Sequence, residues 1–191
     1  MIKQLQIKNK NINTNEIIDN RSQSNLADNQ LLFWFAQKIQ PEVQLGLSGF
    51  TTTFTINGAL SIIHFQRAFQ KLINNSDALQ TVIDEVDGIP QRRAREHLKF
   101  IVNYIDISEQ ASPSIAYQNC LQELSKAQID QKERLFDCSL LKIAPEQYVW
   151  YLTVDHLISD AWSTAIILQK MSEYYRFSLE GKLEYTQPLP A

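Results

Sequence analysis

The chain has 191 residues, 44% of them hydrophobic and 20% charged, with a formal net charge of −3. At that size roughly 70% of the unfolded surface can be hidden, so a core forms without a disulfide or metal staple. The acidic balance disfavours a nucleic-acid partner, and the one basic cluster, Arg92, Arg93 and Arg95, sits beside a turn and reads as a solvated face.

Residues 1–23 are rich in Asn, Lys and Ser without a sustained period, and read as a flexible leader. Order is expected from 24 onward. Apolar residues cluster on one side of residues 27–38, a helix with Asp28 or Asn29 near its cap and Pro41 as its stop. Residues 50–56 alternate Phe50, Thr52, Phe54 and Ile56 against Thr51, Thr53 and Thr55, a strand closed by Asn57-Gly58. Ser61 is placed to cap a helix with Ile62, Phe65, Phe69 and Leu72 at helical spacing. A hairpin follows, turning at Asp87-Gly88. Residues 100–107 alternate again and predict a strand.

Ser112-Pro113 opens a further helix with faces marked by Tyr117, Leu121, Leu124 and Gln128, proline standing where its missing N–H costs little. Residues 138–144 and 147–154 predict paired strands around Ala144-Pro145-Glu146. The second is almost wholly apolar, as a central strand covered on both faces must be. Residues 160–177 form the last long helix, and a polar tail over 181–191 carries Pro188 and Pro190. This order predicts an α/β (α+β) fold, a mixed β-sheet with layered helices, in one unit spanning 24–180.

Cys120 and Cys138 have no zinc spacing and read as buried free thiols of a reducing compartment. There is no apolar leader of signal type and no run long enough to cross a membrane, so the expectation is a cytoplasmic protein with no membrane partner.

The chemistry-bearing segment is Asp155-His156-Leu157-Ile158-Ser159-Asp160. A strand delivers Asp155 and His156 to its end, and Asp160 opens a helix. An imidazole at such a place can exchange a proton near neutral pH. The plainer reading makes Ser159 and Asp160 ordinary helix caps and Asp155-His156 a polar pair at a loop mouth. No metal site is expected, because no further ligand stands at the right spacing. His64 and His97 read as incidental, and no glycine loop cradles phosphate.

Residues 155–163 resemble the His-His-x-x-x-Asp-Gly motif of nonribosomal peptide synthetase condensation domains. Gln30-Leu31-Leu32-Phe33-Trp34 is similar to that family's first helix motif. Ser76-Asp77-Ala78-Leu79-Gln80-Thr81 is similar to its second, His-Glu-x-Leu-Arg-Thr, and Arg134-Leu135-Phe136-Asp137 to the approach to the third. The resemblance implies the N-terminal lobe of a chloramphenicol acetyltransferase-like fold. The implied activity joins a carrier-bound acyl or peptidyl thioester to an amine, with His156 as the catalytic residue and Asp155, Asp160, Ala161, Trp162, Ser163 and Gln80 in support. No cofactor is bound permanently on this reading; phosphopantetheine arrives on acyl or peptidyl carrier proteins. The further partner is a C-terminal condensation lobe or synthetase chain, because this chain stops near the end of the first lobe.

The sequence departs from the pattern at Asp155, where the family has its first histidine, at Ala161, where it has glycine, and at Gln80, where it has arginine. A carboxylate brought close to His156 would raise that histidine's pKa. Asp160, read as buried, lacks its expected ionic partner, so either another cation such as Arg134 substitutes or the site has drifted. The alternative to an enzyme lobe is a degenerate interaction module that meets carrier proteins without catalysis; an acyltransferase acting on coenzyme A thioesters fits the same histidine motif without specific support.

Overall fold

Strand β6 (Gln147–Val154) is the axis of the molecule, flanked by β1 (Phe50–Asn57) and β5 (Phe136–Ala144), with β4 (Asn103–Asp106) beyond β5. The computed structural model describes residues 23–39, 49–186 and 189. The leader through residue 22, Pro41, Pro188 and Pro190 lie outside the described residues. β1 and β5 run antiparallel to β6, while β4 runs parallel to β5, so the sheet is mixed.

Successive side chains of a strand point to opposite faces, and β6 sorts its residues accordingly. Tyr148, Trp150, Leu152 and Val154 enter the main core with Phe65, Phe69 and Leu72 of α2 (Ile62–Asn74) and Ile167, Met171 and Tyr174 of α4 (Ala161–Leu179). Val149 and Tyr151 face the other way, onto Tyr117, Leu121 and Leu124 of α3 (Pro113–Lys126). A strand covered on both faces can be apolar throughout, which is why β6 lacks the polar half of an alternating pattern.

Helix α1 (Asp28–Ile39) and the hairpin of β2 (Thr81–Val86) and β3 (Ile89–Ala94) close one end of this sandwich. Their cluster joins Leu31 and Trp34 to Ile83, Leu135 and Leu157, the last of these in the turn that follows β6. Asp87 and Gly88 both have positive φ, as the tight hairpin turn requires.

Some boundaries differ from expectation. Helix α1 runs over Asp28–Ile39 where 27–38 was expected, and Ala27 stands at the cap in place of Asp28 or Asn29, its carbonyl accepting from Leu31 and its N–H donating to Oε1 of Gln30. The strand expected over 100–107 pairs only at β4, because glutamine side chains bind the backbone ahead of it. Gln128 lies beyond α3. Cys138 is buried and Cys120 half-buried, both as free thiols. In the polar tail, Leu183–Tyr185 forms a 3-10 turn and the Leu189 N–H donates to the Asn75 carbonyl at 2.9 Å.

Candidate functional site

Beyond Val154 the alternation of β6 continues for one more step, and it sends Asp155 and His156 to opposite sides. Asp155 goes to the α3 side, where it borders a cavity with Tyr151, Thr153, Gln37 and Gln131. His156 goes to the other side and is half-buried in an open cleft of about 850 Å³ between α1, β3 and the 156–163 segment. Gln80, Arg92, Asp160 and Ser163 line the same cleft. The sequence blocks around residues 30, 80 and 156 thus meet at one place.

The imidazole is held by aromatic rings. Phe33 stacks on it with centroids 4.9 Å apart and planes at 11°. Phe50 meets it edge-on at 5.3 Å and 62°. Among the described residues no group hydrogen-bonds its nitrogens. Its backbone is tethered on every side instead. Asp155 N–H donates to the Leu135 carbonyl at 2.8 Å, Leu157 N–H to Asp155 Oδ1 at 2.9 Å, and Ile158 N–H to the Asp155 carbonyl at 3.1 Å. Gln30 Nε2 reaches from α1 to the Leu157 carbonyl at 2.6 Å. Gly49 passes so near that a Cβ there would stand 2.4 Å from the Val154 carbonyl oxygen and 3.0 Å from Asp155 Cα.

Asp155 is the buried acid of the site, 3% exposed. Oδ1 accepts from Leu157 N–H and, at 3.3 Å, from Gln37 Nε2; Oδ2 accepts from Gln131 Nε2 at 3.1 Å. Burial pushes its carboxyl above the usual carboxylate range, against the pull of these donors. No hydrogen bond joins it to His156. The close carboxylate–imidazole pair considered from sequence is replaced by an amide-lined cluster on the far side of the turn.

Asp160 is exposed, not buried, and needs no cation. It caps α4: Oδ1 accepts from Ser163 N–H at 2.8 Å and Ser163 Oγ at 2.7 Å, while Asp160 N–H donates to Ser163 Oγ at 3.2 Å. These bonds hold its carboxyl below the usual range. Arg134 is committed elsewhere: Nε to the Phe136 carbonyl, Nη2 to Asp137 Oδ1 at 3.3 Å, and its guanidinium over the Phe100 ring. The proposed Arg134–Asp160 pair is therefore corrected. Gln80, where the family arginine would stand, donates to the Asn74 carbonyl. Ala161 is the first residue of α4, where a methyl group is accommodated, and Trp162 turns outward, 76% exposed. Neither lines the cleft. His64 instead shares a hydrogen bond with Ser178 across α2 and α4. No group of His, Cys, Asp and Glu among the described residues is arranged to hold a metal ion.

Sequence reasoning missed Phe33, Phe50, Gln37 and Gln131 as site residues. A signal existed: Gln30, Phe33 and Gln37 recur at intervals of three and four along α1, a polar and aromatic face beside the Leu31–Trp34 stripe.

A family model described as the condensation domain matches residues 21–190. The chain belongs to the condensation-domain family. It corresponds to the N-terminal lobe, with the chloramphenicol acetyltransferase-like architecture of mixed sheet and layered helices. The starter condensation domain of rhizomide synthetase superposes with a TM-score of 0.73 at 24% identity, over 87% of this chain and 41% of that one. The first condensation domain of the calcium-dependent antibiotic synthetase, solved with a substrate analogue, superposes at 0.72 and 20% identity, over 87% and 39%. Tyrocidine synthase 3 of Brevibacillus parabrevis is 30% identical over 122 residues, 63% of this chain. Bacitracin synthase 3 of Bacillus licheniformis is 31% identical over 131 residues, 66% of this chain. The chain spans 2% of the length of each of these two synthases. No described helix of this condensation lobe is long and apolar enough to cross a membrane.

Proposed function

We propose that this lobe carries the proton-handling side of an amide-forming acyl transfer in nonribosomal peptide synthesis. The observation behind the reading is the His156 imidazole, half-buried at a cleft large enough to take a thioester beside it. On this reading an amine nitrogen attacks the thioester carbonyl carbon, the C–N bond forms and the C–S bond breaks. His156 takes the proton that the amine sheds, and that proton goes to the departing sulfur. The thioester and the amine arrive on phosphopantetheine arms of carrier proteins, and a C-terminal lobe supplies the opposite wall that excludes water and aligns them.

The test is single-turnover transfer from a loaded carrier protein, with the second lobe present. His156→Ala is expected to slow transfer by roughly 10²–10⁴-fold. Transfer at the unaltered rate would remove the assigned role.

Gln80 favours a second reading, an interaction module without catalysis, because a neutral amide lines the cleft where the family's second motif carries arginine. That reading expects the unaltered protein to bind loaded carrier protein yet form no amide in the same assay.

A further inference from the structure

We propose that Asp155 is a positioning residue: its buried carboxylate, gripped by Gln37 and Gln131, locks the turn that presents His156. The inference rests on the reading of His156 as the working side chain, and it concerns how a ring without a polar partner is kept in place.

An imidazole that makes no hydrogen bond takes its placement from packing and from its own backbone. Phe33 and Phe50 supply the packing. The backbone is governed by Asp155, whose Oδ1 reaches over residue 156 to the Leu157 N–H at 2.9 Å and closes a side-chain turn around the histidine. Free to swing, that carboxylate would release the turn. It is not free. Gln131 Nε2 stands 3.1 Å from Oδ2 and 2.5 Å from Gln37 Oε1, and Gln37 Nε2 returns to Oδ1 at 3.3 Å.

The direction of this relay follows from the chemistry of its members. A carboxylate only accepts, so both glutamines must turn their NH₂ groups toward it. The Gln131 carbonyl also receives the Ile83 N–H at 2.9 Å, which ties the relay to the hairpin. Gln37 belongs to the helix that supplies Phe33 and Gln30, so one face of α1 grips the turn through its ring, its Leu157 carbonyl and its acid. Stability alone does not call for this design. A buried acid to which no cation is bonded among the described residues costs more than a well-packed apolar side chain, and such groups are kept where one geometry must be specified. Here the geometry is that of residue 156.

The chain has three histidines, so imidazole NMR on histidine-labelled full chain can follow His156, identified by its disappearance in His156→Gln. In Asp155→Asn the new Nδ2 donor faces the Gln131 donor, and in Gln131→Leu the Oδ2 partner is lost. Both variants, kept well below their unfolding temperatures, are expected to broaden or double the His156 signals. With the C-terminal lobe supplied, kcat should fall about 10–100-fold while KM stays within about twofold. Asp155→Asn with Gln131→Glu returns an acceptor to Nδ2, the Gln37 amide turning its Nε2 from the weaker contact at Oδ1 to the new carboxylate, and should restore a single sharp signal. Folded variants with a sharp, unshifted His156 signal overturn the proposal. So does loss of folding in both variants without recovery in the double variant, which would make the cluster a support of the fold alone. If His156→Ala leaves transfer intact, the functional reading fails, and the NMR comparison still decides the role of Asp155.

Discussion

Phe33 lies flat against His156, ring centroids 4.9 Å apart and planes 11° from parallel, and so binds the first helix to the turn after the central strand. The contact spans residues that the sequence separates by the whole β-sheet. It gives the imidazole one fixed wall at the cleft that His156 lines.

Replacing Phe33 with leucine keeps an apolar side chain and removes the flat wall. The loss of an aromatic pair is expected to lower stability by about 0.5–1.5 kcal/mol, read from a urea midpoint shift at constant m. Single-turnover transfer should fall further than that loss implies, because the ring gains room to tilt. Equal transfer in Phe33→Leu and the unaltered protein would show that the wall does not serve the imidazole.

Asp160 provides a separate test, because capping and ion pairing predict different outcomes. As a cap it serves through Oδ1, which asparagine also offers. Asp160→Asn should therefore unfold close to the unaltered midpoint, while Asp160→Ala should unfold roughly 2–4 °C lower. If asparagine costs as much as alanine, the charge matters and the capping account is incomplete.

Most of the fold was legible because its signals are local. The hydrophobic period of α2, the hairpin turn at Asp87-Gly88 and the nearly all-apolar run of β6 each carry their meaning within a few residues. His156 at the end of β6 was legible for the same reason. The burial of Asp155 and the exposure of Asp160 were not. Both depend on which side of a turn each carboxylate faces, and on amides from Gln37 and Gln131 that no spacing rule connects to position 155. The cation sought for Asp160 was a consequence of placing burial at the wrong acid.

Asp155 and Asp106 should shape acid stability in opposite senses. Burial raises the Asp155 carboxyl above its ordinary 3.8, so the folded state binds a proton more readily than the unfolded chain. Its contribution to stability is therefore full below about 3.8 and declines as pH rises through the raised value. Asp106 is drawn down to about 2, chiefly by hydrogen bonds from Ser108. Its contribution is full above 3.8 and is lost as pH falls toward 2. Urea titrations from pH 3 to 7 should show the stability advantage of the unaltered protein over Asp155→Asn shrinking as pH rises, over roughly that range. An advantage that grows with pH would reverse the assigned direction.

The segment ahead of β4 is held by a substitute for strand pairing, and this too can be tested. Gln66 and Gln70 stand one turn apart on α2. Gln66 Nε2 donates to the Phe100 carbonyl at 2.8 Å while its Oε1 accepts from Val102 N–H at 2.7 Å. Gln70 Nε2 donates to the Leu98 carbonyl at 2.8 Å, and its Oε1 accepts from Phe100 N–H at 3.0 Å. The two amides thus meet the backbone groups that a neighbouring strand would otherwise satisfy, which explains an alternating sequence without a ladder. Gln66→Leu strands a donor and an acceptor in a half-buried place, at a cost of about 1–3 kcal/mol. Amide exchange at Val102 should quicken by more than that at Ile105, whose pairing with β5 is untouched. Equal acceleration at both sites would mean that the whole sheet edge opens together and that Gln66 has no local hold on it.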